Sequence, residues 1–293
     1  MSGWVLGVIG GSGLYEIAGL ANARWTRVDS PFGAPSDDLL IGDLGHVRLV
    51  FLPRHGRGHR LPPSAINARA NIDALKRAGC TDVLSIAAVG SLREALAPGA
   101  FVVVDQFIDR TFARETSFFG PGLVAHVSMG DPVCWRLSAH AAAAARAAGA
   151  AVVEGGTYLA MEGPQFSTKA ESELYRAWGC DVIGMTGMPE AKLAREAELP
   201  YAAVAMVTDY DCWRDVHVEV SHVLEVLRAN AGKAVDLVRI LAERLPAERP
   251  ASPIDTALDG AVITAPEARD PAMLEKLSAI VGRALGLSSA AAT

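Results

Sequence analysis

The sequence predicts a single α/β domain, a mostly parallel or mixed central sheet flanked by helices. Three observations predict it. Short, nearly uninterrupted apolar runs recur along the chain, as in strands buried on both faces of a sheet. Between them lie longer stretches whose apolar residues step by three and four. The two kinds of segment alternate through most of the 293 residues without an internal repeat.

The first strand is expected over residues 4–9, stopping at Gly10-Gly11, and the second over 46–52 (HVRLVFL), stopping at Pro53. Further strands are expected at 82–89, 100–107, 181–185 and 201–208. A helix is expected over 64–78, with Ser64 as N-cap after Pro62-Pro63 and Gly79 as its stop. Others are expected at 135–148, 169–178 and 189–199. The clearest helix runs over 220–245, where Val220, Val223, Leu224, Leu227, Ala231, Ala234, Val235, Val238 and Leu241 step by three and four, with one-residue doublets. Residues 246–253 read as a linker, and 271–285 as a last helix capped by Asp270 with Pro271 in its first turn. The tail 288–293 is expected to fray.

Composition narrows the function. Hydrophobic residues make up 51% of the chain, too many for a disordered protein. Cys80, Cys134, Cys180 and Cys212 form no CxxC pair, which excludes a zinc finger or disulfide scaffold and suits a reducing compartment. A net charge of −6 argues against nucleic acid as a partner but leaves room for a local cationic pocket. No apolar run approaches the roughly 20 residues of a membrane span, and the N-terminus has no basic segment leading into a cleavable apolar one. A soluble cytoplasmic protein is expected, with neither nucleic acid nor membrane as partner.

Five segments carry possible chemistry. The first is GVIGGSGLYE, where glycine-freed amides and the Ser12 hydroxyl can cradle an anion. Glu16 stands where a dinucleotide fingerprint needs a third glycine or alanine, and no GKS or GKT follows. The second is PRHGRGHR, where Arg54 and His55 offer a guanidinium fork and an imidazole to a phosphate. No metal is expected at His55 and His59, since glycines and a proline disfavour a helix there. The third is VTDYDCW. Asp209 and Asp211, two apart just past a buried strand, can present both carboxyls on one side, to donate and accept at the edge of a heterocycle. The fourth, EGPQFSTKAE, presents Phe166 as a face for a flat ligand. The fifth, IGMTGMPE, places the Thr186 hydroxyl between a strand end and a helix start. Cys212 has no adjacent histidine and is expected to be inert.

Taken in order, IGGSGL, SPFGAPSD, LPRHGRGH, VGSLRE, DQFIDRT, EGPQFST, GMTGMPEAKLA and TDYDCW resemble the methylthioadenosine phosphorylase family of the purine nucleoside phosphorylase superfamily, trimeric type. Any one of these motifs is weak; the ordered set, from about residue 5 to 245, is strong. The resemblance implies a nucleoside phosphorylase domain over 1–245, with 246–293 as a linker and helical extension. It implies reversible attack by phosphate on methylthioadenosine, giving adenine and 5-methylthioribose 1-phosphate, with phosphate as co-substrate and no cofactor or metal. Phosphate would meet Ser12, Arg54, His55, Ala87, Ala88 and Thr186. Met185 would lie against the ribose and Phe166 on the base. Asp209 would protonate purine N7 and Asp211 accept from the 6-amino group, with Ser167 and Tyr210 also at the substrate. Val220, Val223 and Leu224 would line the methylthio pocket, closed by His126 of a neighbouring subunit in a trimer or a hexamer of two trimers. Relatives usually carry a hydroxyl residue where Ala87 stands, which implies weaker phosphate binding here. A methylthioinosine or general purine nucleoside phosphorylase is the alternative within the class. A non-catalytic nucleoside sensor and a hydrolase are the rivals outside it.

Overall fold

The computed structural model describes residues 3–11, 14, 17–214 and 220–287. In chain order its strands and helices are β1 (Val5–Gly10), β2 (Ala21–Thr26), β3 (Leu39–Leu44), β4 (Val47–Pro53), α1 (Ala68–Arg77), β5 (Asp82–Ser91), β6 (Ala100–Val104), β7 (Gln106–Arg110), α2 (Trp135–Ala147), β8 (Ala151–Glu154), β9 (Thr157–Met161), α3 (Lys169–Ala177), β10 (Val182–Gly184), α4 (Gly187–Glu196), β11 (Tyr201–Tyr210), α5 (Val220–Arg244), α6 (Pro271–Lys276) and α7 (Ser278–Leu285). The strands form one mixed sheet in the order β2-β3-β4-β1-β5-β10-β9-β7, with β11 pairing β5 and β6, and β6 pairing β8. The centre is parallel: β1 runs with β4 and β5, and β5 with β11.

The central strands bury both faces, as their uniform apolarity demands. On β11, Tyr201, Ala203, Ala205 and Val207 join the core under α1, α4 and α7, while Ala202, Val204 and Met206 join the core under α2 and α5. This period of two sandwiches the sheet between two helical layers. Leu258, Leu277, Ile280 and Val281 belong to the first core, so the segment beyond Leu245 is built into it.

Several elements differ from the sequence expectation. The run at 100–107 is two strands, because the chain changes sheet neighbours at Asp105: β6 pairs β11 and β8, and β7 pairs β9. The sequence pattern did not reveal β2, whose residues are almost all exposed, nor β3, β8 and β9. Asn67, not Ser64, caps α1, its side chain accepting from the Ala70 amide at 3.1 Å, since residues Pro63–Ala65 form a separate short 3-10 turn. The last helix is broken at the buried Leu277 into α6 and α7. Asp270 caps the first as expected, and Gly286 closes the second in the left-handed region.

Candidate functional site

Strand β5 organises the site. Its residues are buried from Asp82 to Ile86, but Ala87, Ala88 and Gly90 are half-exposed where the strand passes the loops that follow β1, β4, β10 and β11. Arg54 meets it at Ile86 and the acidic pair at Gly90; between them Ala87-Ala88 pair with β11 on one edge, and β1 and β10 leave the other edge unpaired among the described residues.

Arg54 follows β4 and is 2% exposed. Sequence reasoning offered its fork to an anion; the structure turns most of that fork inward. Nε donates to Glu190 Oε1 at 2.6 Å, and Nη2 to Glu190 Oε2 at 3.2 Å and Ser85 Oγ at 2.6 Å. Nη1 donates to the Ile86 carbonyl at 2.9 Å and Nη2 to that of Ile9 at 3.3 Å. The physical reason is that a buried cation requires a countercharge and filled donors. Burial works against the charge, and Glu190 more than offsets it, so the guanidinium pKa lies above its ordinary value. One Nη1 hydrogen has no partner among the described residues. The rest of the basic cluster is also engaged, Arg57 with Asp37 and Arg60 with the Ser36 carbonyl. His55 is pushed down to about 4 by burial and by the nearby Arg54 and His59 charges. Its Nδ1 lies 2.9 Å from the Leu61 carbonyl, which only accepts. The ring is therefore neutral at pH 7, with Nε2 as an acceptor. It stacks on His59 with centroids 4.1 Å apart. Ser12 lies outside the described residues, while Gly10 is tied to the corner by the Arg54 amide, which donates to its carbonyl at 2.9 Å.

The acids sit at the end of β11. Its pairing with β5 slips between Val207 and Asp209, leaving Thr208 as the extra residue of a bulge, a device that re-aims side chains. Asp209 then pairs with Gly90. A methyl group on Gly90 would lie 3.2 Å from Asp209 Oδ2 and 3.3 Å from the Asp211 Cβ, so glycine lets both acids approach the strand. The Thr208 hydroxyl is 2.8 Å from Asp209 Oδ1 and 3.2 Å from the Val89 carbonyl. Asp211 is 2% exposed, and burial raises its pKa against the opposing hydrogen bonds of Ser172 and Cys212. The Tyr210 side chain is engaged elsewhere: its hydroxyl donates to the Glu94 carbonyl at 3.3 Å, and Arg214 lies 3.8 Å over its ring.

Two loops complete the rim. Arg114, which sequence reasoning missed, is paired with Glu162 at 3.1 Å and donates to the carbonyls of Glu162, Met185 and Met188 at 2.6, 2.6 and 2.8 Å. It thereby ties the EGPQFS loop to the segment carrying Met185 and Thr186. Gly163, at φ 69°, lets the Met185 side chain approach where a Cβ would come within 2.5 Å of its sulfur. Thr186 is 9% exposed and stands at the N-cap of α4 with no side-chain capping bond; its side chain and its amide both meet the Tyr158 hydroxyl. Phe166 is 44% exposed. Ser167 is buried, its hydroxyl on Met161 Sδ and its carbonyl accepting from Cys212 Sγ at 2.8 Å. Burial and Asp211 raise the Cys212 thiol pKa, which disfavours the thiolate.

His126 lies apart from the other candidates, in a cavity of about 400 Å³ lined also by Ser117, Phe119, Lys192 and Glu196. The backbone of Val220, Val223 and Leu224 belongs to α5, and their side chains lie outside the described residues. Glu190, Ser85, Arg114, Ser172 and Thr208 are the working partners that local sequence did not reveal. The one available signal was the glutamate of GMPE, a lone acid opening a helix opposite a basic loop.

The chain is 60% identical over 285 residues to S-methyl-5′-thioadenosine phosphorylase of Cereibacter sphaeroides, covering 96% of this chain and 98% of that one. It is 60% identical over 287 residues to the protein of that name from Rhodospirillum rubrum, covering 96% and 97%. Among solved structures, a methylthioadenosine phosphorylase from an Antarctic soil metagenomic library superposes with a TM-score of 0.90 at 44% identity, covering 96% and 99%. The Schistosoma mansoni methylthioadenosine phosphorylase in complex with adenine superposes at 0.77 with 40% identity, covering 84% and 93%. The sequence model of the phosphorylase superfamily matches residues 5–243, and the chain belongs to that superfamily.

Proposed function

We propose that the chain catalyses reversible phosphorolysis of S-methyl-5′-thioadenosine to adenine and 5-methylthioribose 1-phosphate. Identity of 60% over nearly full length to phosphorylases of that name supports the substrate. The structural observation that carries the chemistry is the spacing along β5. Ile86, at the Arg54 corner, and Gly90, at the acids, are four residues apart, or roughly 13 Å at strand rise. That span accommodates phosphate, pentose and purine side by side.

Phosphate enters beside Ala87-Ala88, Thr186 and the loop carrying Ser12. Its attack on the anomeric carbon breaks the bond to purine N9, and its charge stabilises the oxocarbenium-like sugar. Asp209 delivers a proton to N7, so that adenine leaves neutral, a gain of about 10²–10⁴ for a general acid. Asp211 accepts from the 6-amino group. Two acids in this segment favour adenine over a 6-oxopurine. His55 in its neutral form accepts the hydrogen of a protonated phosphate oxygen. Met185 lies against the ribose, Phe166 and Ser167 on the base side, and Tyr210 contributes backbone. Val220, Val223 and Leu224 meet the methylthio group, a pocket that separates thiomethyl from hydroxyl only about 10–200-fold.

The enzyme needs no organic cofactor or metal and works in the cytoplasm as a trimer or a hexamer of two trimers, with His126 reaching a neighbouring subunit's pocket. Residues 246–287 extend the catalytic domain, with Leu258, Leu277, Ile280 and Val281 built into its core. Adenine release assayed with and without phosphate tests the reading. Release must depend on phosphate, and kcat/KM for methylthioadenosine must exceed that for methylthioinosine. Release in its absence would make the protein a hydrolase, and binding without release a sensor.

A further inference from the structure

We propose that Glu190 is a positioning residue for phosphate use, acting through Arg54. This rests on the phosphorolytic reading above and deepens it. The Glu190 carboxylate is 2% exposed and fully partnered inside the protein. Oε1 accepts from Arg54 Nε at 2.6 Å, and Oε2 accepts from Arg54 Nη2 at 3.2 Å, Ser85 Oγ at 3.0 Å and Tyr201 hydroxyl at 3.1 Å. Regular helix geometry in α4 begins only after Met188, so Glu190 stands in the first turn, where the helix dipole favours a carboxylate.

The consequence lies in what Arg54 then holds. With its Nε edge fixed on Glu190, the guanidinium reaches the Ile9 and Ile86 carbonyls. One side chain thus pins the end of β1, the middle of β5 and the start of α4. Each of these continues directly into a phosphate contact of the proposed site: the loop of Gly11 and Ser12, the Ala87-Ala88 amides, and Thr186. Arg54 is therefore a strut with one Nη1 hydrogen to offer, and Glu190 is the anchor that sets its orientation. Neutralisation of the pair also means that the phosphate is held by oriented amides and hydroxyls more than by net cationic charge.

The test is a double-mutant cycle on phosphorolysis of methylthioadenosine, read as separate KM values for phosphate and nucleoside. Glu190→Gln keeps the volume and removes the charge. It is expected to raise the phosphate KM at least tenfold while the nucleoside KM changes less than threefold. Arg54→Lys, which loses the fork, is expected to do the same. The double variant should be no worse than about threefold beyond the poorer single variant, because both act through one strut. Should Glu190→Gln fail to fold, Ser85→Ala removes the hydroxyl that bridges the pair and should raise the phosphate KM two- to fivefold with the nucleoside KM unmoved. A variant with a lower Tm and an unchanged phosphate KM would overturn the inference. So would penalties that multiply in the double variant. The wild-type assay separates the two readings: absence of phosphate-dependent adenine release there sinks the proposed reaction, whereas normal wild-type release with an indifferent Glu190→Gln sinks only the strut.

Discussion

The hydroxyl of Thr208 lies 2.8 Å from Oδ1 of Asp209, on the extra residue of the bulge that closes β11. A hydroxyl both donates and accepts, so this contact serves either protonation state of the acid. Facing a carboxylate or the carbonyl oxygen of an acid it donates; facing the hydroxyl of an acid it accepts and turns its own hydrogen to the Val89 carbonyl at 3.2 Å. Thr208→Val keeps the shape and removes that adaptability. We expect kcat to fall about tenfold, the scale of one hydrogen bond to a charged group, with the phosphate KM unchanged. Steady-state kinetics at saturating phosphate measures this, and an unaltered kcat would show that Thr208 only fills the bulge.

Asp209→Asn removes the transferable proton while keeping the side-chain outline. Adenine release should fall by about 10²–10⁴ with Tm close to wild type. A near-wild-type rate would take Asp209 out of the acid role.

Ser172 donates a hydrogen bond to Asp211 Oδ2. Burial raises the pKa of Asp211 and this bond opposes the rise. Ser172→Ala should therefore move the pKa of Asp211 further up. In the proposed site an ionised Asp211 is the stronger acceptor for the purine amino group, so the acid limb of the kcat/KM profile should shift to higher pH. An acid limb that stays in place would argue that another group controls it.

Much of the fold is legible because the central strands are apolar on both faces, as the run YAAVAMV of β11 is. β2 escaped because ANARWT lies exposed and carries no apolar pattern. The site divides along similar lines. Asp209 and Asp211 were legible as a pair because two-residue spacing alone can bring strand side chains together. The ion pair of Arg54 with Glu190 was not, because its members are 136 positions apart and only the completed fold joins them. Sequence therefore offered Arg54 as an open cation, where the structure has a nearly saturated one. The same limit hid Arg114, whose carbonyl partners at Met161, Glu162, Met185 and Met188 lie at least 47 positions away.

Ala87 is half-exposed, as are Ala88 and Gly90 of the same strand, and pairs with Ala205. Ala87→Thr suits β geometry and adds a hydroxyl at the proposed phosphate position. The phosphate KM should fall about tenfold, the scale of one hydrogen bond to an anion. An unchanged value would mean that the hydroxyl faces away from the anion.

Glu162 has its carboxyl held down to about 2. Burial opposes this, and hydrogen bonds from Ser64, the Phe112 and Ala113 amides and Arg114 outweigh it. Its unfolded value is 4.5. Ionised Glu162 thus stabilises the fold fully above that value, and the contribution is lost as pH falls from there towards 2. Glu162→Gln should lower Tm at pH 7, with the gap to wild type narrowing as the pH is taken below 4.5. Thermal unfolding followed across that range checks it, and a gap independent of pH would assign the loss to packing alone.

The burial of Leu277, between α6 and α7, and of Ile280 and Val281 on α7 bears on any attempt to make a minimal catalyst. A chain cut after Leu245 would retain every residue assigned to catalysis, yet it would bare the apolar flank of α1, whose N-terminus adjoins the basic loop. Such a truncation should clump in solution before its turnover could be assayed, so miniaturisation would first require repainting that flank with polar side chains.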